Sequence, residues 1–292
     1  LAAAVEAVQA EADDFARAGP AAPLVSLLVE DCIERARGYW DRGARYTVRA
    51  PHAGGLPDVA NALLAVRRLV YETDELSLGE LVGALRDDWA GRDTLRRRVR
   101  SRFTFYGNAD PQADAMVRRV FDDYVALVEQ VPSRAGVLRP AGLSTFGRQI
   151  EWADGRGATA AGTRRGEYLA SNFSPAPGTD RCGPTAAVRS FCAVDFERLP
   201  NGTALDLKIH PASVRGEAGL EALAGLLRGF VRLGGIFLHV DVVDSALLRE
   251  AQANPDRYPN LAVRISGWSA RFATLSREWQ DMIIRRTEHE LR

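Results

Sequence analysis

The sequence predicts an α/β protein, on three observations. Residues 204–210 (ALDLKIH) place Leu205, Leu207 and Ile209 at alternate positions, as a strand does. Residues 236–243 (IFLHVDVV) form a short, apolar, β-branched run of the kind a buried strand requires, and 261–266 read as a third strand. Helical stretches at 217–233 and 245–253 (with serine as cap) separate these strands, and a terminal helix is expected over 276–291. Strand, helix, strand, helix, strand implies parallel pairing.

The N-terminal part has a different texture. Helices are expected over 1–18, 24–40, 59–71, 77–89, 92–102 and 111–131. The helix at 77 opens on Ser77 with Glu80 three residues on, the pattern of a capping box, and Pro111 suits a first helical turn. From 132 to 203 Gly, Pro, Ser, Thr and Asn crowd together and no long amphipathic period survives, so ordered loops and short strands are expected. A stretch that long is a functional region or a disordered one rather than a simple connector.

Composition narrows the classes. The 292 residues, 46% hydrophobic and 26% charged, suit a globular chain of about two domains. Thirty-eight basic and 38 acidic side chains cancel, so neither nucleic acid nor an anionic membrane is implied. Arginine supplies every basic position except Lys208. Cys32, Cys182 and Cys192 are too few and scattered for a disulfide framework, which favours a reducing, cytoplasmic location. No run reaches the ~18 apolar residues of a membrane span, and no signal peptide opens the chain. The chain opens on Leu1 inside an Ala-rich helical pattern, and it reads as cut from something longer.

Several motifs yield to ordinary readings. Gly155-Arg156-Gly157-Ala158-Thr159-Ala160 meets the loose dinucleotide pattern, but two more glycines follow and no helical face does, so no nucleotide site is read there. The sequons at Asn172 and Asn201 are chance matches. His52, His210, His239 and His289 show no zinc-ligand spacing, and no metal is expected. No Gly-x-Ser-x-Gly and no P-loop occur. Cys182 lies beside Arg181 but without an adjacent histidine or helix start in sequence, and reads as incidental. His239 and Asp241, two apart on a strand, face the same way: either they hydrogen-bond a substrate in a cavity or they satisfy each other when buried. In 264–272 (RISGWSARF) a glycine follows a strand, which by itself signals a turn or a close backbone approach.

That last segment carries a resemblance. Residues 254–261 (NPDRYPNL) and 263–268 (VRISGW), with 280–284 (QDMII) and 286–289 (RTEH) as the helix after them, resemble the C-terminal part of the glycyl radical enzymes, the pyruvate formate-lyase superfamily. Residues 43–46 (GARY), 106–108 (YGN), 157–159 (GAT), 178–180 (GTD), 183–186 (GPTA) and 210–211 (HP) fall in the family's order, so the likeness covers essentially the whole chain. It implies that Gly267 is the glycine whose Cα hydrogen a separate S-adenosylmethionine/iron–sulfur activating enzyme removes. Arg264, Ser266, Trp268 and Phe272 would shape and seal the radical loop. The implied fold is the later part of a ten-stranded α/β barrel with surrounding helices, mostly helical over 1–170, and a C-terminal glycine radical domain over 171–292. No cofactor would be bound beyond the radical itself.

Departures from the family pattern accompany the likeness. The thiyl-forming cysteine, in a short Gly-Cys segment, is not among Cys32, Cys182 and Cys192. Trp268 stands where many members have tyrosine, and Ala160-Ala161-Gly162-Thr163 where dehydratase-like members have Pro-Asp-Gly-Arg. His239-Val240-Asp241-Val242 stands for their Gln-Phe-Asn-Val. The expectation is a C-terminal fragment of an anaerobic radical lyase, dehydratase or decarboxylase, inactive alone. Its partners would be the N-terminal barrel half, the activating enzyme, a small-molecule substrate and a second copy in a homodimer. An autonomous radical-carrying subunit that complements a truncated partner is the alternative, and an inactive structural relative a third reading.

Overall fold

The computed structural model describes residues 1–18, 21–131, 137–265 and 268–291. In chain order the elements are α1 (Ala2–Ala18), α2 (Pro23–Leu28), β1 (Thr47–Val48), β2 (His52–Ala53), α3 (Leu56–Val66), α4 (Leu78–Arg86), α5 (Asp93–Arg102) and α6 (Pro111–Gln130). There follow β3 (Val137–Leu138), β4 (Gly142–Leu143), α7 (Gln149–Gly155), α8 (Pro184–Phe191), β5 (Leu205–Ile209), α9 (Gly216–Arg232) and β6 (Leu238–Val242). The chain ends with α10 (Ser245–Ala253), β7 (Ala262–Ile265), β8 (Trp268–Arg271), α11 (Arg277–Arg285) and β9 (Glu288–His289). Two compact units arise: one from 1–52, 122–142 and 197–202, the other from 53–121, 143–196 and 203–292.

In the first unit β1 and β3 pair in parallel, Thr47 opposite Val137. The Tyr124 hydroxyl lies 3.0 Å from the Pro51 carbonyl and 2.9 Å from that of Gly142, and Arg198 pairs with Asp122 and Glu129. The helix expected over 24–40 is much shorter here. α2 stops at Leu28, Val29 is extended, and Asp31 and Ala36 take positive φ. Asp31 adopts that costly geometry with its carboxylate held by Arg35, four residues on, at 3.0 Å and by the more distant Arg45 at 3.1 Å, contacts made where the local helical pattern gives way.

The second unit holds most of the core. The capping box at α4 forms as its sequence predicts: Ser77 Oγ accepts from Glu80 N, and the Glu80 carboxylate accepts from Ser77 N. Leu64, Leu69, Leu81, Trp89, Val99 and Phe105 fill the space among α3, α4 and α5. A run of rings, Tyr106, Phe173, Phe191, Phe196 and Phe230, packs at centroid separations of 4.7–6.5 Å. β5 is the centre of a parallel sheet in the order β6-β5-β9, buried along its whole length. β5 and β6 thus pair in parallel as the sequence predicts, but the third strand expected to join them, β7, lies outside this sheet. β7 and β8 form a separate antiparallel hairpin with Ile265 opposite Trp268. Val263, Ile265, Phe272, Met282 and Ile283 close a small core with α10 and α11.

Three local expectations are corrected. Helices α7 and α8 occupy part of the stretch read as loops and short strands. Asp244, not Ser245, caps α10, its Oδ1 accepting from Ala246 N. The terminal helix ends at Arg285 rather than running to 291. Thr287 and His289 both bond Asp180, and the main chain of Glu288 and His289 pairs with β5, which draws 286–289 out of helical geometry.

Candidate functional site

Side chains alternate across a strand, so β5 turns Leu205, Leu207 and Ile209 to one face and Asp206 and Lys208 to the other. The register sets Asp206 beside His239 and Lys208 beside Asp241. One face of the sheet is therefore a buried polar array. Asp206, Lys208, His239 and Asp241 are 7%, 1%, 2% and 7% exposed.

Burial of so many charges demands pairing. His239 Nδ1 lies 2.8 Å from Asp206 Oδ1, and its Nε2 3.4 Å from Asp241 Oδ2. Asp206 also accepts from Asn172 Nδ2 at 2.9 Å, and its own N–H donates to Ser174 Oγ. Arg286 Nη1 lies 3.3 Å from Asp241 Oδ2, while the buried Nε and Nη2 of that arginine have no hydrogen-bond partner. Burial alone would lower the His239 pKa, but the flanking Asp206 and Asp241 carboxylates outweigh it and hold it above the ordinary histidine value. Burial alone would raise Asp206, but Arg286, His239 and Asn172 hold it below the usual carboxylate range. Lys208 donates to Ser245 Oγ and to the carbonyls of Ile283 and Ile284, and burial draws its pKa down to about 8.

The hairpin is tied to this array. Arg264 N, in β7, donates to Asp241 Oδ1 at 3.1 Å. Arg264 itself is exposed at the surface of β7. Phe272, at the far end of β8, is fully buried, whereas Trp268 is half exposed and meets Trp279 edge-on at 6.3 Å. Gln280 Nε2 donates to the Phe272 carbonyl and braces the exit of the hairpin against α11. Ser266 and Gly267, the expected radical position and its neighbour, lie outside the described residues. The array joins the sequence-predicted His239 and Asp241. Asp206, Lys208 and Arg286 were not singled out as site residues, although the alternation of 204–210 already sets Asp206 and Lys208 on one face of a strand.

Elsewhere in this unit a cleft of about 910 Å³ is lined by Asp180, Cys182, Val188, Leu226, Thr287 and His289. Cys182 and His289 line the same cleft, and α8 starts two residues after Cys182, a helix start that the sequence reading did not see; His289 Nε2 is already 2.8 Å from Asp180. His210, Asp244 and Glu288 place ligand atoms within 4.8 Å of one another. His210 Nδ1 accepts from Ala212 N, so a neutral ring carries its proton on Nε2, toward Glu288, and offers that nitrogen no lone pair for a metal. Asn172 is 3% exposed and Asp206-bound, closed to glycosylation. Gly155 ends α7, with no strand before it, so the dinucleotide pattern has no matching context. Among the described residues no helix is long and apolar enough to cross a membrane.

A pyruvate formate lyase-like family model matches residues 12–151, and a glycine radical model matches residues 169–273. The trans-4-hydroxy-L-proline dehydratase of Clostridioides difficile is 32% identical over 91% of this chain and 34% of its own length. The probable dehydratase YbiW of Escherichia coli is 34% identical over 92% of this chain, again 34% of its length. Among solved structures, the glycerol-bound, B12-independent glycerol dehydratase from Clostridium butyricum superposes with a TM-score of 0.86 at 30% identity, covering 92% of this chain and 34% of that one. A glycyl radical enzyme from Archaeoglobus fulgidus gives 0.90 at 31% identity, covering 98% and 37%. The chain spans about a third of the length of these relatives. With the two family models meeting most of its length in order, the chain belongs to the glycyl radical enzymes, of which it represents a part.

Proposed function

We propose that this chain is the radical-storing C-terminal part of a glycyl radical lyase, dehydratase or decarboxylase, with the unpaired electron resting on Gly267. The observation that carries the reading is the hairpin register: β7 and β8 pair up to Ile265 and Trp268, leaving Ser266 and Gly267 as the residues that join them, within the segment matched by the glycine radical model. An α-carbon radical is planar and shared between amide nitrogen and carbonyl, and a side chain would crowd that plane, so glycine is required there.

The chemistry proceeds by hydrogen-atom transfer. A separate activating enzyme takes one hydrogen atom from the Gly267 Cα. A cysteine supplied from outside this chain then gives its S–H hydrogen to that carbon, restoring the C–H bond and leaving the electron on sulfur. The sulfur takes a hydrogen atom from a small organic substrate and returns it after the adjacent bond has broken. In this scheme Asp241 holds β7, Phe272 anchors the end of β8, and Trp268 with Trp279 flanks its start. The dehydratases among the relatives favour this class over other radical chemistries.

The complete polypeptide, incubated without oxygen with its activating enzyme, is expected to give a doublet in electron paramagnetic resonance that is lost in Gly267→Ala. Air should then cleave the activated chain at residue 267 and leave the unactivated chain whole. A doublet that survives Gly267→Ala defeats the assignment.

A further inference from the structure

Among the described residues β7 pairs with β8 alone, on one edge. A strand residue directs its N–H and C=O to the same side, so the Arg264 N–H bound by Asp241 points to the edge that β8 leaves open. Asp241 Oδ1 thus takes a main-chain donor that the hairpin cannot satisfy itself. Its Oδ2 lies near Arg286, just past α11, and His239 Nε2. A single carboxylate therefore joins the strand before residue 267 to the segment that follows α11. Lys208, opposite Asp241 in the register of β5, fastens the last carbonyls of α11 to the same sheet face.

We infer that Asp241 is a positioning residue for the radical hairpin, seating β7 against β6 through the Arg264 amide, and that His239 makes this seat responsive to pH. The inference rests on the proposed role of Gly267. An asparagine can accept the same N–H, but a Gln/Asn pair does not titrate. The His/Asp pair adds charge to a seat that the amide pair would hold neutral. The charged groups facing it are Asp206 and Lys208 on β5, Arg286 after α11, and Glu288 on β9 beyond Lys208. While His239 is protonated its Nδ1 bonds Asp206 and its positive Nε2 faces Asp241 Oδ2 at 3.4 Å; once neutral, the ring loses that charge and the bridge loosens.

The test is hydrogen–deuterium exchange on this chain, read on peptides covering β7 and, as control, α3 to α5. Asp241→Ala should raise exchange in β7 about tenfold while the control peptides keep their protection. Asp241→Asn should stay within about threefold of wild type, since it retains the acceptor. The wild-type β7 peptides should lose protection, beyond the intrinsic rise in exchange rate, as pH climbs through the His239 titration. The double variant His239→Gln, Asp241→Asn should show no such loss. Unchanged β7 exchange in Asp241→Ala, equal acceleration in the control peptides, or a pH response that persists in the double variant would each overturn the inference. In the complete activated enzyme, Asp241→Ala should shorten the lifetime of the doublet severalfold more than Asp241→Asn does. Absence of a doublet in wild type would count against the radical assignment alone, because exchange in β7 is read without it.

Discussion

Lys208 Nζ stands 2.7 Å from Ser245 Oγ and 3.0 Å from the carbonyl oxygen of Ile284, joining the centre of the sheet to two helices. In a chain that uses arginine at every other basic position, this one site keeps an ammonium. The reason is geometric. A compact group with three diverging N–H bonds meets three oxygens in a pocket where the residue is 1% exposed, and a planar guanidinium cannot.

Replacement by arginine at this position should therefore cost about 1–3 kcal/mol through overpacking, measurable as a lower denaturant midpoint. The pH response has a definite sign. Burial draws Lys208 down to about 8 from 10.5, so between those values the unfolded chain binds the extra proton and stability rises with pH. Relative to Lys208→Met, in which the group is gone, wild type should gain at most about 3 kcal/mol from pH 7.5 to 10.5. A constant difference between the two across that range would refute the assignment.

Asp58 is a second buried charge with the opposite slope. It accepts from Ala170 N at 2.9 Å, yet burial raises it from 3.8 to about 6. The folded chain therefore binds the extra proton between about pH 4 and 6, and stability falls as pH rises through that window. Asp58→Asn keeps an acceptor for Ala170 and removes the charge. It should be more stable than wild type at pH 7.5 by up to about 3 kcal/mol and equal to it near pH 4, by thermal melting at both values.

Gly147 decides where a tryptophan beside the hairpin can lie. A Cβ there would sit 1.9 Å from the Trp279 ring, and its φ of +85° already excludes most side chains. Gly147→Ala should cost about 2–4 kcal/mol and shift the tryptophan emission, because Trp279 must leave its contact with Trp268. A variant with unchanged melting temperature and emission would show that the ring has room to move.

Local patterns predicted a good deal of this. Ser77 with Glu80 announced α4, the alternation at 204–210 announced β5, and the two-residue spacing of His239 and Asp241 announced a shared face. Where local readings failed, a distant partner prevailed. Arg45 holds Asp31 where a helix was expected, and Asp180 captures Thr287 and His289 beyond the end of α11. The resemblance pointed to residue 267 as the radical site, while of the array that holds β7 only His239 and Asp241 were legible, because its other members come from strands and loops scattered between 172 and 286.

The order of residues alone determined most element types, the α/β class and the kinship with glycyl radical enzymes, since periodicity and motif order are properties of the linear chain. Tertiary structure alone decided that Asp206, Lys208, His239, Asp241 and Arg286 form one buried array, and that Asp241 reaches the main chain of β7. Parallel register and burial bring those charges together, and in a low-dielectric interior each must find an opposite partner or a hydrogen bond, a demand that no local stretch of sequence expresses.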